Sequence, residues 1–203
     1  MLQNRVDPFG NIIKTSARGA WMGNRGILHD DNQRICRLYK SKSWLTCVLQ
    51  FRGRKRQVMA PGRYTELFFW DEAISFSAGH RPCFECRRKD AERFKSCWLA
   101  GNPGYGFDEG VSILEIDKII HRERIGWHGL KNTHEERLHT LPDGCFISYR
   151  DMPYIIVAGA VFPWSDAGYG DQKELPSTEW ISVLTPASIV NAFRAGYKPW
   201  IRM

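Results

Sequence analysis

Apolar and polar positions divide the chain into three stretches with different periods. Through residue 33 no period holds. Turn formers recur in Asp7-Pro8-Phe9-Gly10-Asn11 and Trp21-Met22-Gly23-Asn24-Arg25-Gly26, too often for a long helix, and this stretch reads as an ordered, loop-rich arm laid over the core. From Trp44 to Phe51 a β-branched and aromatic run predicts a strand. Arg52-Gly53-Arg54 then makes a turn and Lys55 to Ala60 a returning strand, giving a hairpin with a basic tip.

Helical spacing begins after that hairpin. Asp71 is placed to accept hydrogen bonds from free amides at a helix start, Ala73, Ile74 and Phe76 supply an apolar face, and Gly79 ends the helix in the left-handed conformation. A second helix follows Cys86, with Ala91, Phe94, Cys97 and Trp98 on one side. Gly101 to Gly110 is a connector, and Val111 to Arg124 sets Leu114, Ile116, Ile119 and Ile120 at near-helical spacing. Cys145 to Tyr149, and Tyr154 to Trp164 bent at Gly159, form a small antiparallel sheet. Thr185 caps a last helix with Pro186 at its first position. Phe193-Arg194-Ala195-Gly196-Tyr197-Lys198-Pro199 echoes Phe76-Ser77-Ala78-Gly79-His80-Arg81-Pro82, which reads as a shared helix exit rather than a duplicated domain. The expected fold is one α+β domain over 1–203, with an arm (1–33), a unit of basic hairpin and helices (34–100), and a closing part of helix, antiparallel strands and C-terminal helix (101–203).

Charge adds a feature that the pattern lacks. The net charge is +7, and nine Lys or Arg lie between Arg34 and Arg63 with no Asp or Glu, while the other 20 basic residues face 22 acidic ones. A local cationic field favours polyanions through counterion release. Arg52, Arg54, Lys55 and Arg56 at the hairpin tip, with Arg81, Arg87 and Arg88 near the helices, are the expected phosphate contacts, and Trp44 or Tyr39 offers a ring for stacking. Arg18, Arg25 and His29 sit among glycines, where backbone amides can approach a phosphate closely. The partner expected is nucleic acid, DNA rather than RNA. The opening residues lack the apolar run of a signal peptide, and no segment approaches ~20 apolar residues, so neither export nor a membrane partner is expected and the cytoplasm is the expected location.

Chemistry concentrates at Pro82-Cys83-Phe84-Glu85-Cys86. Two thiolates two residues apart can share one tetrahedral zinc ion, and a structural site needs two further ligands. Cys47 on its strand, His80 in the spacing His-x-x-Cys-x-x-Cys, and Cys36 are the candidates, while Cys97 and Cys145 read as small buried hydrophobes. Six cysteines with only one close pair do not describe a disulfide scaffold. An enzyme reading stays open: four of the six histidines, His121, His128, His134 and His139, fall within nineteen residues, and His121 and His134 are its catalytic candidates in a metal-dependent nuclease. A protein-interaction module without a polyanion partner is the plainer alternative.

Phe68-Phe69, Glu72-Ala73 and Ala78-Gly79-His80-Arg81-Pro82-Cys83-Phe84-Glu85-Cys86-Arg87 together resemble the second half of the zinc-binding cysteine module of the Ada DNA-repair methyltransferase and related nuclease-attached modules. The resemblance covers about twenty residues. It implies a helix ending in Ala-Gly-aromatic-Arg-Pro-Cys-x-x-Cys, zinc bound with two earlier cysteines, and DNA as partner, and it carries over Cys83 and Cys86 as ligands. That family's earlier cysteines are closely spaced, whereas ten residues separate Cys36 from Cys47, so methyl transfer is not carried over. Pro82-Cys83-Phe84-Glu85-Cys86 is also similar to the Pro-Cys-x-x-Cys half of zinc-dependent nucleobase deaminases. The upstream His-x-Glu those enzymes need is missing: His29-Asp30-Asp31 has a shorter acid, and His134-Glu135-Glu136 lies after the knuckle.

Overall fold

A computed structural model describes residues 1–55, 57–175 and 180–203. The α+β expectation holds, with two six-stranded sheets instead of one small one. The first contains β1 (Arg5–Val6), β2 (Ile12–Ile13), β3 (Trp21–Asn24), β4 (Leu45–Cys47), β5 (Leu67–Phe69) and β6 (Arg81–Pro82) in the order β2-β1-β5-β3-β4-β6. It is mixed, because β1 runs parallel to β5 and β4 parallel to β6. The second is antiparallel throughout, with β7 (His134–Glu136), β8 (Phe146–Tyr149), β9 (Met152–Val157), β10 (Ala160–Ser165), β11 (Gly168–Tyr169) and β12 (Ile181–Val183) in the order β11-β10-β9-β8-β12-β7. Four α-helices complete the described residues: α1 (Glu72–Ser77), α2 (Arg88–Gly101), α3 (Ile113–Arg124) and α4 (Ala187–Arg194).

Alternation along the second sheet sets the layering. Ile147, Ile156, Val161, Ile181 and Val183 face a core built with Phe94 and Trp98 of α2, Ile116 and Ile120 of α3, and Ile189 and Phe193 of α4. Their neighbours Phe146, Ile155, Trp164 and Leu184 face the other way, onto Val6, Leu67, Phe69 and Ile74. Successive strand side chains point to opposite faces, so a sheet covered on both sides is apolar at consecutive positions. The second sheet is therefore packed between the helices and the first sheet, and the two halves of the chain share their cores.

Helix α1 begins and ends as its sequence dictates. Asp71 Oδ1 accepts from the Ile74 amide at 2.9 Å, and Gly79 sits at φ +81°. The His80 amide reaches back to the Ser75 carbonyl at 2.8 Å and the Gly79 amide to Phe76 at 2.8 Å, a double-bonded exit that satisfies two terminal carbonyls. The echo at the far end repeats it: Tyr197 donates to Ala192 at 3.1 Å and Gly196 to Phe193 at 3.0 Å. The buried carboxylates at the start of α1 then tie down the C-terminal tail. Asp71 accepts from Tyr169 Oη (2.6 Å) and the Arg202 amide (3.2 Å), and Glu72 from Tyr197 Oη (3.0 Å) and the Trp200 amide (2.9 Å).

Three local expectations give way. The arm is part of the first sheet, with β3 paired between β4 and β5; its strands are too short to show a period, and their partners lie up to 63 residues further along the chain, as Arg5 opposite Phe68 shows. The hairpin does not form. Leu45–Cys47 pairs with β3 and β6, and the described residues between Lys55 and Ala60 hold no strand. The chain turns at Arg52 and Gly53, both at positive φ, but the edges of β4 are already taken. Finally, Thr185 does not cap α4. Its Oγ1 accepts from the Phe146 amide at 2.9 Å, and Pro186 takes the cap position.

Candidate metal centre

Parallel pairing of β4 with β6 places Leu45 opposite Arg81 and Thr46 opposite Pro82. The next residue on each strand is a cysteine. The ladder ends with the Cys83 amide donating to the Thr46 carbonyl at 3.0 Å, which brings Cys47 and Cys83 side by side at the sheet edge. Beyond Pro82 the chain turns back on itself, the Arg87 amide donating to the Cys83 carbonyl at 2.9 Å, and Cys86 arrives on the same side. The three sulfurs lie within 4.8 Å of one another. Tetrahedral zinc with bonds of about 2.3 Å holds its sulfurs about 3.8 Å apart, so contraction of at most about an ångström closes the site. The donor set therefore fits a thiophilic metal ion.

The surroundings favour thiolate at two of these positions. The Glu85 amide points at Cys83 Sγ from 3.4 Å. A proton held by Cys47 pulls the Cys83 thiol well below its ordinary range, against the opposing effect of burial, and lowers Cys86 for the same reason. Cys47, donating to both, is pushed up. A metal ion bound here would replace that shared proton, because thiolate is the ligating form. All three cysteines line a cavity of about 280 Å³, whose wall includes Met22, Val48, Leu49, Phe51 and Phe68. Arg54 and Lys55 stand at the same cavity, and Arg54 Nη2 pairs with Glu85 at 2.9 Å.

His80 does not join this cluster. It is fully buried, its ring 4.7 Å from Phe69 and 5.0 Å from Trp44, and its Nε2 accepts from Arg25 Nε at 3.1 Å. Burial first, then Arg25 and Arg124, holds it neutral. Cys36 is exposed and donates to its neighbour Arg34's carbonyl at 3.3 Å. Spacing suggested His80, but the Gly79 exit turns that residue into the core while the cysteines beyond it reach the edge.

The basic residues separate into two groups. Arg81 is buried and holds Asp117 through two hydrogen bonds of 2.7 Å. Arg87 is buried between Glu72 and Asp90 and lies 4.0 Å from the Trp21 ring centre. Neither guanidinium faces a surface, and both are removed from the expected phosphate contacts because buried carboxylates, Asp117 for Arg81 and Glu72 for Arg87, neutralise them. Arg52, Arg54, Lys55 and Arg88 are exposed, and Arg88 is 3.6 Å from Glu92. Arg56 lies outside the described residues. Trp44 is buried, with the Arg25 and Arg124 guanidinium carbons 3.9 and 3.8 Å from its ring centre, so it offers no stacking face; Tyr39 is at the surface, 4.7 Å from the His121 ring.

Histidines 121, 128, 134 and 139 form no metal-binding group among the described residues. His121, with Nδ1 2.8 Å from Arg124 Nη2, is lowered to about 4 by burial and by that cation. His134 lies on strand β7, its Nε2 3.2 Å from Glu136. Neither stands beside the cysteines as a catalytic partner, and His134-Glu135-Glu136 is likewise separated from the Cys-x-x-Cys half of a deaminase site. The layer of Arg25, Trp44 and Arg124 escapes sequence reasoning, apart from the glycines around Arg25. Among the described residues no helix is long and apolar enough to cross a membrane.

No protein-family model, curated protein or solved structure matches the chain.

Proposed function

We propose that this chain binds one zinc ion through Cys47, Cys83 and Cys86 and associates with nucleic acid, DNA above RNA, through the exposed cations beside that site. The observation that carries the reading is the convergence of three cysteines from separate strand ends and a turn to within 4.8 Å. Tight thiolate clustering of this kind costs charge repulsion, which a divalent ion offsets. Among the described residues Arg52, Arg54, Lys55 and Arg88 are the exposed members of the expected phosphate contacts, and Arg54 and Lys55 border the same cavity as the sulfurs. The likeness of Ala78–Arg87 to the Ada-type cysteine module supports zinc at this position, with three thiolates here in place of that family's four.

Metal analysis of the purified chain should give one zinc per molecule, falling below about one fifth in Cys83→Ser and in Cys86→Ser. Full occupancy in both variants refutes the site. Mobility-shift titrations on duplex DNA across salt should give a log–log slope that decreases by about 2 in Arg54→Ala/Lys55→Ala, since each phosphate contact contributes about 0.9. A slope unchanged by that double variant removes these residues from the interface.

One observation favours a second reading, metal-assisted hydrolysis of nucleic acid. Three protein ligands are the number found at catalytic zinc sites, which keep a position for water or substrate, and all three sulfurs line a cavity. Metal-dependent cleavage of an oligonucleotide that disappears with Cys83→Ser supports it.

A further inference from the structure

A second cavity, of about 250 Å³, carries Arg25, Arg124, Lys131 and His128 in its wall and no acid. Its other walls come from the Phe9–Asn11 turn and from Leu38 and Leu130, the last two 44% and 69% exposed, so the rim meets solvent.

The cations here are held by the fold and short of counter-charge. Arg25 is 1% exposed; its Nε donates to His80 Nε2 and its Nη1 to the Gly10 carbonyl at 3.0 Å, while its Nη2 is buried with no partner. Gly10 lines the same cavity, and a Cβ on it would lie 3.9 Å from Arg25 Nη2. Arg124 is 2% exposed. Its Nη1 and Nη2 donate to the carbonyls of Gly79 and Lys42 at 2.6 Å each, and its Nε is buried with no partner. Lys131 donates to the Ser77 carbonyl, and burial, then Arg25 and Arg124, push its ammonium down to about 7. Carbonyl oxygens satisfy hydrogen-bonding capacity without cancelling charge. The acid whose field reaches both Arg25 and Lys131 is Asp7, and its two oxygens accept from the Asn11 amide and Nδ2 at 2.9 Å each. Asp117 is already occupied by Arg81.

Buried charge without a counter-ion is costly, and two guanidinium N–H groups without partners add to that cost. A small oxyanion answers both, since it supplies negative charge and several acceptors at once, in the geometry for which arginine is suited. We propose that this cavity is a binding site for a phosphomonoester group, held by Arg25, Arg124 and Lys131 with its ester substituent directed between Leu38 and Leu130. The site is separate from the cysteine cluster, and the proposal does not depend on zinc.

Thermal melts of the full chain in sodium phosphate test it, against sodium chloride of matched ionic strength. Phosphate at about a hundred times its dissociation constant should raise the midpoint by about 5–10 °C, and Lys131→Met should fold normally and bind at least tenfold more weakly. Arg25→Met tests the buried wall; because that variant loses two buried hydrogen bonds, its affinity is read by titration calorimetry at low temperature on the folded protein. Two further arms identify the source. A nucleoside 5′-monophosphate binding more tightly than inorganic phosphate assigns the site to a free nucleotide, and an oligonucleotide binding more tightly with a 5′-phosphate than with a 5′-hydroxyl assigns it to a strand end. An equal effect of phosphate and chloride, or full phosphate affinity in Lys131→Met, overturns the proposal.

Discussion

Replacing Asp117 by Asn tests whether Arg81 belongs to the interior or to a binding surface. The side chains of Arg81 and Asp117 are 5% and 3% exposed and meet through two bonds of 2.7 Å. Ser43 Oγ also donates to Asp117 Oδ2. The substitution keeps the size of the side chain and one acceptor oxygen but removes the charge, leaving a buried guanidinium near Arg124, whose own charge already opposes it. Breaking one half of a buried pair costs about 3–5 kcal/mol. At about 2–4 °C per kcal/mol for a chain of this size, the melting midpoint should fall by about 6–20 °C. Circular-dichroism melts and urea titrations measure this directly. The double variant Arg81→Met/Asp117→Leu removes both charges and should recover most of the loss, because it leaves neither ion stranded. If Asp117→Asn melts within about a degree of the wild type, or if the double variant is as unstable as the two singles added together, the pair is not the buried, coupled unit described above.

Other consequences follow from single positions. Gly79→Ala should cost at least about 1–3 kcal/mol in urea titrations, because the residue sits at φ +81° and its Cβ would lie 2.4 Å from Arg124 Cδ; a neutral effect would mean that Arg124 moves freely. Burial raises Asp71 to about 6 against the opposing hydrogen bond from Tyr169, so the folded state binds a proton that the unfolded chain releases near pH 4. Stability should therefore decline by about 3 kcal/mol between pH 4 and 6 on this account, and Asp71→Asn should flatten that part of the profile; matching slopes in both proteins would remove Asp71 as its source. In thiol labelling of the native protein, exposed Cys36 should react within minutes while fully buried Cys145, its thiol pushed up by burial, stays protected until the chain unfolds; mass mapping of the labelled peptides distinguishes them.

The amino-acid sequence by itself settled what depends on neighbours a few residues apart. Asp71 as a cap, Gly79 and Gly196 as helix exits, the apolar faces of α2 and, apart from exposed Leu114, of α3, and the turn at Gly159 all follow from local backbone geometry and from helical or strand periods. The Cys83–Cys86 pair was legible for the same reason, because two residues of one turn carry both thiols. Cys47 was reachable as a candidate, although the sheet edge that brings it to Cys83 is parallel pairing with β6 rather than the expected hairpin. Tertiary structure alone decided which charges are solvated. Arg54 and Arg81 look alike in sequence, yet one borders a cavity and the other is neutralised by an aspartate 36 residues away. It also gathered Arg25 around one cavity with Arg124 and Lys131, which lie about a hundred residues further along the chain. The reason is physical: secondary structure is selected by short-range sterics and hydrogen bonds, whereas the fate of a charge depends on burial and on its partner, and both are fixed only when remote segments pack.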